Sequence, residues 1–183
     1  MIAEGERASD GDVWFRILNS DSQFKRGTLN HGALKGQIRK TAPEDKRPWQ
    51  SDMSGRLRSI AGNVDEIKKH AIEYCEKQSR KFHGVAFSRC GSLRIAYEVV
   101  GVTSAVHFTP IKDGKYADHA HADLTFSGKV IEPKSEDEER LLLRLHREFD
   151  VLYADQMDRL LPAAEPEPIV DSVKRLLARY INR

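Results

Sequence analysis

Short apolar or alternating segments along the chain predict four β-strands, and the segment 27–34 is either a turn or a short additional strand. In 103–109 and 119–126, apolar and polar residues alternate with the period of two of a half-buried strand. The loop between these segments contains Asp113-Gly114, which favours an antiparallel hairpin. The apolar runs 13–18 and 82–89 predict two further strands.

Three more segments before the hairpin have their own patterns. Asn63 is a good helix N-cap with Glu66 three residues later, and the apolar spacing that follows predicts a helix over 64–79. The segment 92–100 fits a strand or a short helix, and Gly101 after it favours the helix. The segment 36–55 is charged, contains two prolines and has little apolar content, so we expect a long loop.

The C-terminal part of the chain predicts two helices. Ser135 and Glu138 form a second capping-box pattern, and an apolar stripe continues from Leu142 to 157–160. A proline-rich break at 162–168 precedes an amphipathic helix that reaches the C-terminus. The predicted fold is therefore α+β: a small, mostly antiparallel sheet with one long helix and a two-helix C-terminal appendage. The corresponding units are an α+β domain at 1–132 and a helical appendage at 133–183.

Composition and charge restrict the location of the protein. The chain has 183 residues, a formal net charge of +2 and 32% charged residues, which is typical of a well-solvated domain. No apolar run approaches the roughly 20 residues that cross a bilayer, and acids stand where a secretory signal would be basic and then apolar. Two cysteines far apart in the sequence fit a reducing compartment. We expect a cytoplasmic protein with no membrane partner.

The predicted hairpin carries a candidate metal site. His119, His121 and Asp123 fall on one strand face, and His107 can approach from the paired strand. Imidazole and carboxylate ligands together suit zinc, manganese or iron(II). Alternate residues of a strand are about 7 Å apart, however, so three of them reach one ion only if the strand bends. Alternatively, these side chains form the polar outer face of the hairpin. We expect the protein to have no cofactor, although the pattern allows a divalent metal ion.

A basic segment and an apolar helix face are candidate binding surfaces. The basic residues of the front half could contact a nucleic-acid backbone, form a solvated face or meet an acidic partner; they are Lys25, Arg26, Lys35, Arg39, Lys40, Arg56 and Arg58. The apolar face of the last helix could pack on the core or bind a partner protein; its residues are Val173, Leu176, Leu177, Tyr180 and Ile181.

One set of short motifs resembles a known group of proteins. The run starting at Gly84-Val-Ala-Phe87, with Val102, Pro110 and the strand Ala120-His-Ala-Asp-Leu124, is similar to small uncharacterised bacterial proteins found among mobile or conflict-type genes. Gly-Lys-Tyr-Ala-Asp stands here where that group favours an Asn-Pro turn. The resemblance implies a defence-related or toxin-like setting, of which we expect bacterial antiviral defence, and it supplies no catalytic residue.

These observations leave two functional hypotheses. The chain has no P-loop, no dinucleotide-binding glycine pattern and no Gly-x-Ser-x-Gly elbow. Together with the charged segment 36–55 and the amphipathic last helix, this favours a non-catalytic intracellular component of a multi-protein assembly. The alternative is a metal-dependent hydrolase or nuclease that uses the histidine-rich hairpin face. The sequence leaves open whether the protein is an enzyme.

Overall fold

A six-stranded antiparallel sheet forms the centre of the protein. The structure is a computed structural model, and it describes residues 2–20, 23–25, 28–34, 53–129, 131–132 and 134–157. The strands in chain order are β1 (Val13–Leu18), β2 (Phe24–Lys25), β3 (Thr28–Leu29), β4 (Met53–Leu57), β5 (Gly84–Arg89), β6 (Val102–Phe108), β7 (His121–Gly128) and β8 (Asp150–Tyr153). The large sheet has the order β6-β7-β4-β1-β5-β8, and β2 pairs with β3 separately.

Helices cover both faces of this sheet. They are α1 (His31–Leu34), α2 (Val64–Glu76), α3 (Cys90–Glu98) and α4 (Glu136–Glu148). On one face, α2 packs against Phe15 and Ile17 of β1. On the other face, Trp14 shares a hydrophobic core with α3 and α4. Trp14 and Phe15 are adjacent in sequence and both buried, because each face of β1 has its own core.

The structure confirms the α+β class and most of the predicted elements. The strand and helix predicted at 13–18 and 64–79 are present as β1 and α2, and the predicted hairpin strands are present as β6 and β7. The Asn63 side chain accepts from the Glu66 amide, and the Glu66 carboxylate accepts from the Asn63 amide, as a capping box requires. The segment 92–100 is mostly helical, as α3.

Two strands lie where the sequence predicted other structure. Met53–Leu57, the end of the predicted loop, is β4, which lies between β1 and β7. The apolar stripe predicted as one helix to about residue 157 divides: α4 ends at Glu148, Phe149 is extended, and β8 follows. In the sequence, Phe149 and Leu152 continue the helical spacing of apolar residues. In the structure, Leu152 pairs with Val85 in the sheet. The sequence prediction was wrong at both places.

The predicted C-terminal appendage is described only in part. Leu141 and Leu145 of α4 are fully buried in the same core as Trp14, so this helix packs on the sheet domain. The second predicted helix, at 169–183, lies outside the described residues, and the boundary at 132/133 stays a prediction. Within the described residues, no helix combines the length and apolar character needed to span a bilayer.

Candidate functional site

A cavity opens where β1 and β4 stop pairing. The registered pairs between these strands are Trp14 with Leu57 and Phe15 with Arg56. Next to this point lies a cavity of about 470 Å³, a size typical of small-molecule sites. We call it the arginine pocket. Its walls come from β1, β4, the end of α2, the β6–β7 connection and β7, and its main polar residues are Arg16, Asn19, Gln23, Ser54, Arg56, Tyr74, Gln78, Arg80, Tyr116, Asp118 and His121.

Three arginines give the arginine pocket an excess of positive charge. Arg16 Nη1 donates to the Ala33 carbonyl at 3.0 Å, and Arg80 Nη1 donates to Asn19 Oδ1 at 3.2 Å. Burial lowers the pKa of Arg16 and of Arg56 from the ordinary arginine value, although both side chains stay charged. Among the described lining residues, Asp118 is the one acidic side chain. The pocket therefore suits an anion, whose negative charge would balance the excess positive charge of the walls.

A buried ion pair forms the inner wall of the arginine pocket. Arg56 Nε lies 2.6 Å from Asp118 Oδ2, and His70 Nε2 lies 3.7 Å from the same oxygen. Burial by itself raises the pKa of the Asp118 carboxyl, but the neighbouring His70 and Arg56 outweigh it, so this pKa is lowered. Asp118 is therefore an ionised hydrogen-bond acceptor at neutral pH.

The other side of this wall faces a second, smaller cavity. It measures about 310 Å³ and shares Arg56 and Asp118 with the arginine pocket. Its other lining residues are mainly apolar, with Glu66, His70 and His119 as its further polar side chains. Asp118 and Arg56 thus stand between two spaces that a ligand or water could occupy.

Aromatic rings line the same wall. The Arg56 guanidinium carbon lies 4.8 Å from the centroid of the Tyr74 ring, a distance typical of cation–π contacts. The rings of Tyr74 and Tyr116 meet edge to face, with centroids 6.2 Å apart. Tyr116 is 41% exposed, so part of its ring is available to a ligand.

His121 is held at the border of the pocket by a network of hydrogen bonds. Its Nδ1 lies 2.8 Å from the Thr109 carbonyl oxygen, which can only accept, so Nδ1 carries the proton of this bond. In the neutral ring Nε2 is then a hydrogen-bond acceptor, and it lies 3.7 Å from Asp123 Oδ1. The two Asp123 oxygens accept from the hydroxyls of Ser54, at 3.1 Å, and Thr109, at 3.0 Å. The cluster orients His121 and satisfies Asp123.

The predicted metal ligands are not brought together. His121 and Asp123 are neighbours, but His119 precedes β7 in a turn and lines the smaller cavity. His107 lies opposite Asp123 in the sheet, and its Nδ1 is 3.1 Å from the Gly5 carbonyl oxygen. Within the described part of the chain, no group of three His, Cys, Asp or Glu side chains could hold a metal ion. The described residues thus provide no assembled set of metal ligands for the alternative function, a metal-dependent hydrolase or nuclease.

The two predicted binding surfaces are described only in part. Arg56 is buried in the ion pair, and Arg58 is partly buried and donates to the Gly62 carbonyl. Lys25 lies in β2, while the four remaining basic candidates lie outside the described residues: Arg26, Lys35, Arg39 and Lys40. The predicted partner-binding residues Val173, Leu176, Leu177, Tyr180 and Ile181 also lie outside them.

Sequence reasoning missed most of the arginine pocket. The pocket residues come from separate segments, and nothing in the local patterns of Tyr74, Arg80 and Asp118 distinguishes them from surface residues. The usable signal was Arg16, a charged residue inside an otherwise apolar strand run. Cys90, which precedes a glycine, is a buried thiol whose pKa is raised by burial, so it does not provide a reactive thiolate.

The fold and the pocket define an α+β domain with a positively charged, partly aromatic cavity beside its sheet. No family model, curated protein or solved structure matches this chain.

Proposed function

We propose that this protein is a non-catalytic binding component of a multi-protein assembly, and that it binds a phosphate-bearing small molecule in the arginine pocket. The observation that carries the proposal is the set of Arg16, Arg56 and Arg80 around a cavity whose described lining has one acid. The planar guanidinium group matches the oxygens of a phosphate and forms charge-assisted hydrogen bonds with it. An anion in the pocket would also compensate the partly desolvated charge of Arg16.

The groups in the arginine pocket favour binding over turnover. His121 offers one acceptor nitrogen, but the nearby Ser54 hydroxyl already donates to Asp123 rather than to His121. A serine nucleophile needs a base within hydrogen-bond reach, and its proton here points to a carboxylate that also accepts from Thr109. Within the described lining, no nucleophile is therefore paired with a base.

Calorimetric titration with inorganic phosphate and pyrophosphate tests the pocket. We expect Arg16→Gln and Arg80→Gln each to weaken pyrophosphate binding about 10-fold to 100-fold, since a hydrogen bond to a charged group contributes about 1.5–3 kcal/mol. Arg140→Gln is the matched control, because Arg140 is exposed on α4, a helix of the opposite sheet face. No binding of either anion at millimolar concentration would defeat the proposal, as would an equal loss in the control.

The assembly part of the proposal rests on the sequence. The apolar face of the last helix, from Val173 to Ile181, has the pattern of a helix that binds in a groove. The resemblance to small bacterial proteins of conflict-type genes supports a role in antiviral defence, and the composition of the sequence supports a cytoplasmic assembly. Deletion of residues 168–183 should abolish co-purification of partner proteins from the native host, while pyrophosphate binding persists. A truncated protein that retained its partners would rule out this helix as the docking element.

A further inference from the structure

Three buried polar atoms at the inner wall of the arginine pocket lack an aligned hydrogen-bond partner. They are Arg56 Nε, His70 Nε2 and Asp118 Oδ2, which lie beside one another in the ion pair but make no aligned hydrogen bond within the described part of the chain. The arginine nitrogen lies close to the aspartate oxygen, at 2.6 Å, but the pair is not aligned as a hydrogen bond. Buried polar atoms in folded proteins nearly always have a partner. A ligand that reaches this wall can therefore add a well-aligned hydrogen bond to the ion pair.

The chemistry of Asp118 specifies what that group must be. The Asp118 side chain is 3% exposed, and its Oδ1 already accepts from the Ala120 amide at 3.1 Å. Its Oδ2 is paired with Arg56 Nε and has a second acceptor site for a ligand, and Asp118 lines both cavities. An ionised carboxylate can only accept hydrogen bonds, so a ligand group that meets Oδ2 must be an N–H or O–H donor.

The shape of the cavity adds a second requirement. The Tyr74 and Tyr116 rings line one side, and Tyr116 is partly exposed. A flat ring can stack on an exposed aromatic face, and this contact is available to any nucleobase. A volume of about 470 Å³ holds a ligand larger than phosphate alone.

We infer that the ligand is a nucleotide whose base carries an exocyclic amino group, with the phosphate at Arg16 and Arg80 and the amino group donating to Asp118. This inference rests on the proposed function, because it assigns the non-phosphate part of the same ligand. Arg16 and Arg80 serve the phosphate end of the molecule, and Asp118, paired with Arg56, serves the end with the amino group. The uncharged amide side chains of Asn19, Gln23 and Gln78 also line the pocket and can bind the ribose hydroxyls.

A ligand series on the unmodified protein tests the inference. Calorimetry compares AMP and GMP with purine riboside 5′-monophosphate, which lacks the amino group, and with ribose 5-phosphate, which lacks the base. We expect AMP or GMP to bind about 10-fold to 100-fold more tightly than purine riboside 5′-monophosphate, as expected for a donor facing a carboxylate. Ribose 5-phosphate should bind most weakly. Equal affinities across the series would overturn the inference.

Two variants complete the test. Asp118→Asn should remove the preference for the amino group, but it also leaves Arg56 buried without its partner and can unfold the protein. Tyr116→Ala changes a partly exposed residue and should reduce the ratio of AMP affinity to ribose 5-phosphate affinity about 10-fold. An unchanged ratio in Tyr116→Ala would contradict base stacking. Binding of pyrophosphate without any preference among the esters would defeat this inference alone, whereas no binding of any phosphate compound would defeat the proposed function as well.

Discussion

Arg56 and Asp118 form an ion pair whose nitrogen–oxygen distance is 2.6 Å and whose side chains are 8% and 3% exposed. Lys112 and Glu4 have the same distance of 2.6 Å, but their side chains are 68% and 57% exposed. The nitrogen–oxygen distance is the same in the two pairs, but only the Arg56–Asp118 pair is buried. Because removal of one partner leaves a desolvated charge only in the buried pair, the two pairs should respond differently to substitution.

Asp118→Ala should lower the free energy of unfolding by about 3–5 kcal/mol, because it leaves the Arg56 guanidinium buried without its counter-ion. The double variant Arg56→Met with Asp118→Leu should recover most of this loss, since it removes both charges. Urea unfolding followed by circular dichroism measures all three proteins. Lys112→Met is the control and should change stability by less than about 1 kcal/mol. An Asp118→Ala effect as small as the control would refute a buried charge pair.

The same pair gives a pH dependence with a defined sign. The folded-state pKa of Asp118 is lowered below its unfolded value near 3.9, so its contribution to stability is present above that pH and is lost as pH falls through the folded-state pKa. The stability difference between the parent and Asp118→Asn should therefore be largest above about pH 4 and shrink on acidification. Urea unfolding at pH 7, 5, 4 and 3 measures it. A difference that grows towards low pH would contradict the assigned direction.

Gly55→Ala should destabilise the protein by about 1–3 kcal/mol through overpacking. A Cβ at this position of β4 would clash with the indole of Trp14, which is fully buried. The indole Nε1 also donates to the Ala122 carbonyl at 3.1 Å, so the ring cannot shift without breaking this bond. Thermal unfolding is the measurement, and near-ultraviolet circular dichroism should report a changed Trp14 environment. An unchanged melting temperature would mean that Trp14 moves freely.

Tyr97→Phe should stabilise the protein by about 1 kcal/mol. Tyr97 is fully buried on α3, and its hydroxyl has no hydrogen-bond partner in the described part of the chain. Its ring packs on Phe126 with centroids 4.6 Å apart, a contact that phenylalanine keeps. Tyr116→Phe, at a partly exposed position, serves as the control in urea unfolding and should have little effect on stability. A destabilised Tyr97→Phe variant would show that the hydroxyl has a partner after all.

Metal analysis tests the alternative hydrolase. Protein purified without chelator should contain less than about 0.1 divalent metal ion per chain. The measurement is decisive because a site that fixes its ligands retains its metal on purification. The reason for the low metal content is local: both Asp123 oxygens accept from hydroxyls, and His121 Nδ1 is bonded to the Thr109 carbonyl. A stoichiometric metal that disappears in His121→Ala would support the alternative instead.

The elements with strong local patterns were predictable, and the ones set by distant contacts were not. Alternation along 103–109 and the Asn63 cap each specify their element within a few residues. β4 contains a glycine and a buried arginine, and it is a strand because β1 and β7 supply hydrogen bonds on both sides. Leu152 fits a helix spacing as well as a strand, and its pairing with Val85 decides between them.

The candidate site shows the same division. The hairpin was predicted, and one face of it does place His107 opposite Asp123 and His121 next to Asp123, but the His107 ring is bonded to the Gly5 carbonyl instead. His119 does not continue that face, because the Asp118 carboxylate accepts from the Ala120 amide and holds a turn there. The pairing of Arg56 with Asp118 joins two segments far apart in the sequence, and no periodic pattern records it.

The position of β1 has a consequence for the protein during its synthesis. β1 is made first among the strands, yet it is an inner strand whose neighbours are β4 and β5, and residues 5–8 before it bond to the outer side of β6. Each of these partners leaves the ribosome long after β1. The nascent chain therefore carries an apolar strand with both edges open until residue 57 has been made and with one edge open until residue 89, and such edges are prone to pair with other chains. We expect the yield of folded protein in the cell to depend on how this interval is protected, through translation speed and chaperone supply, as much as on the stability of the finished fold.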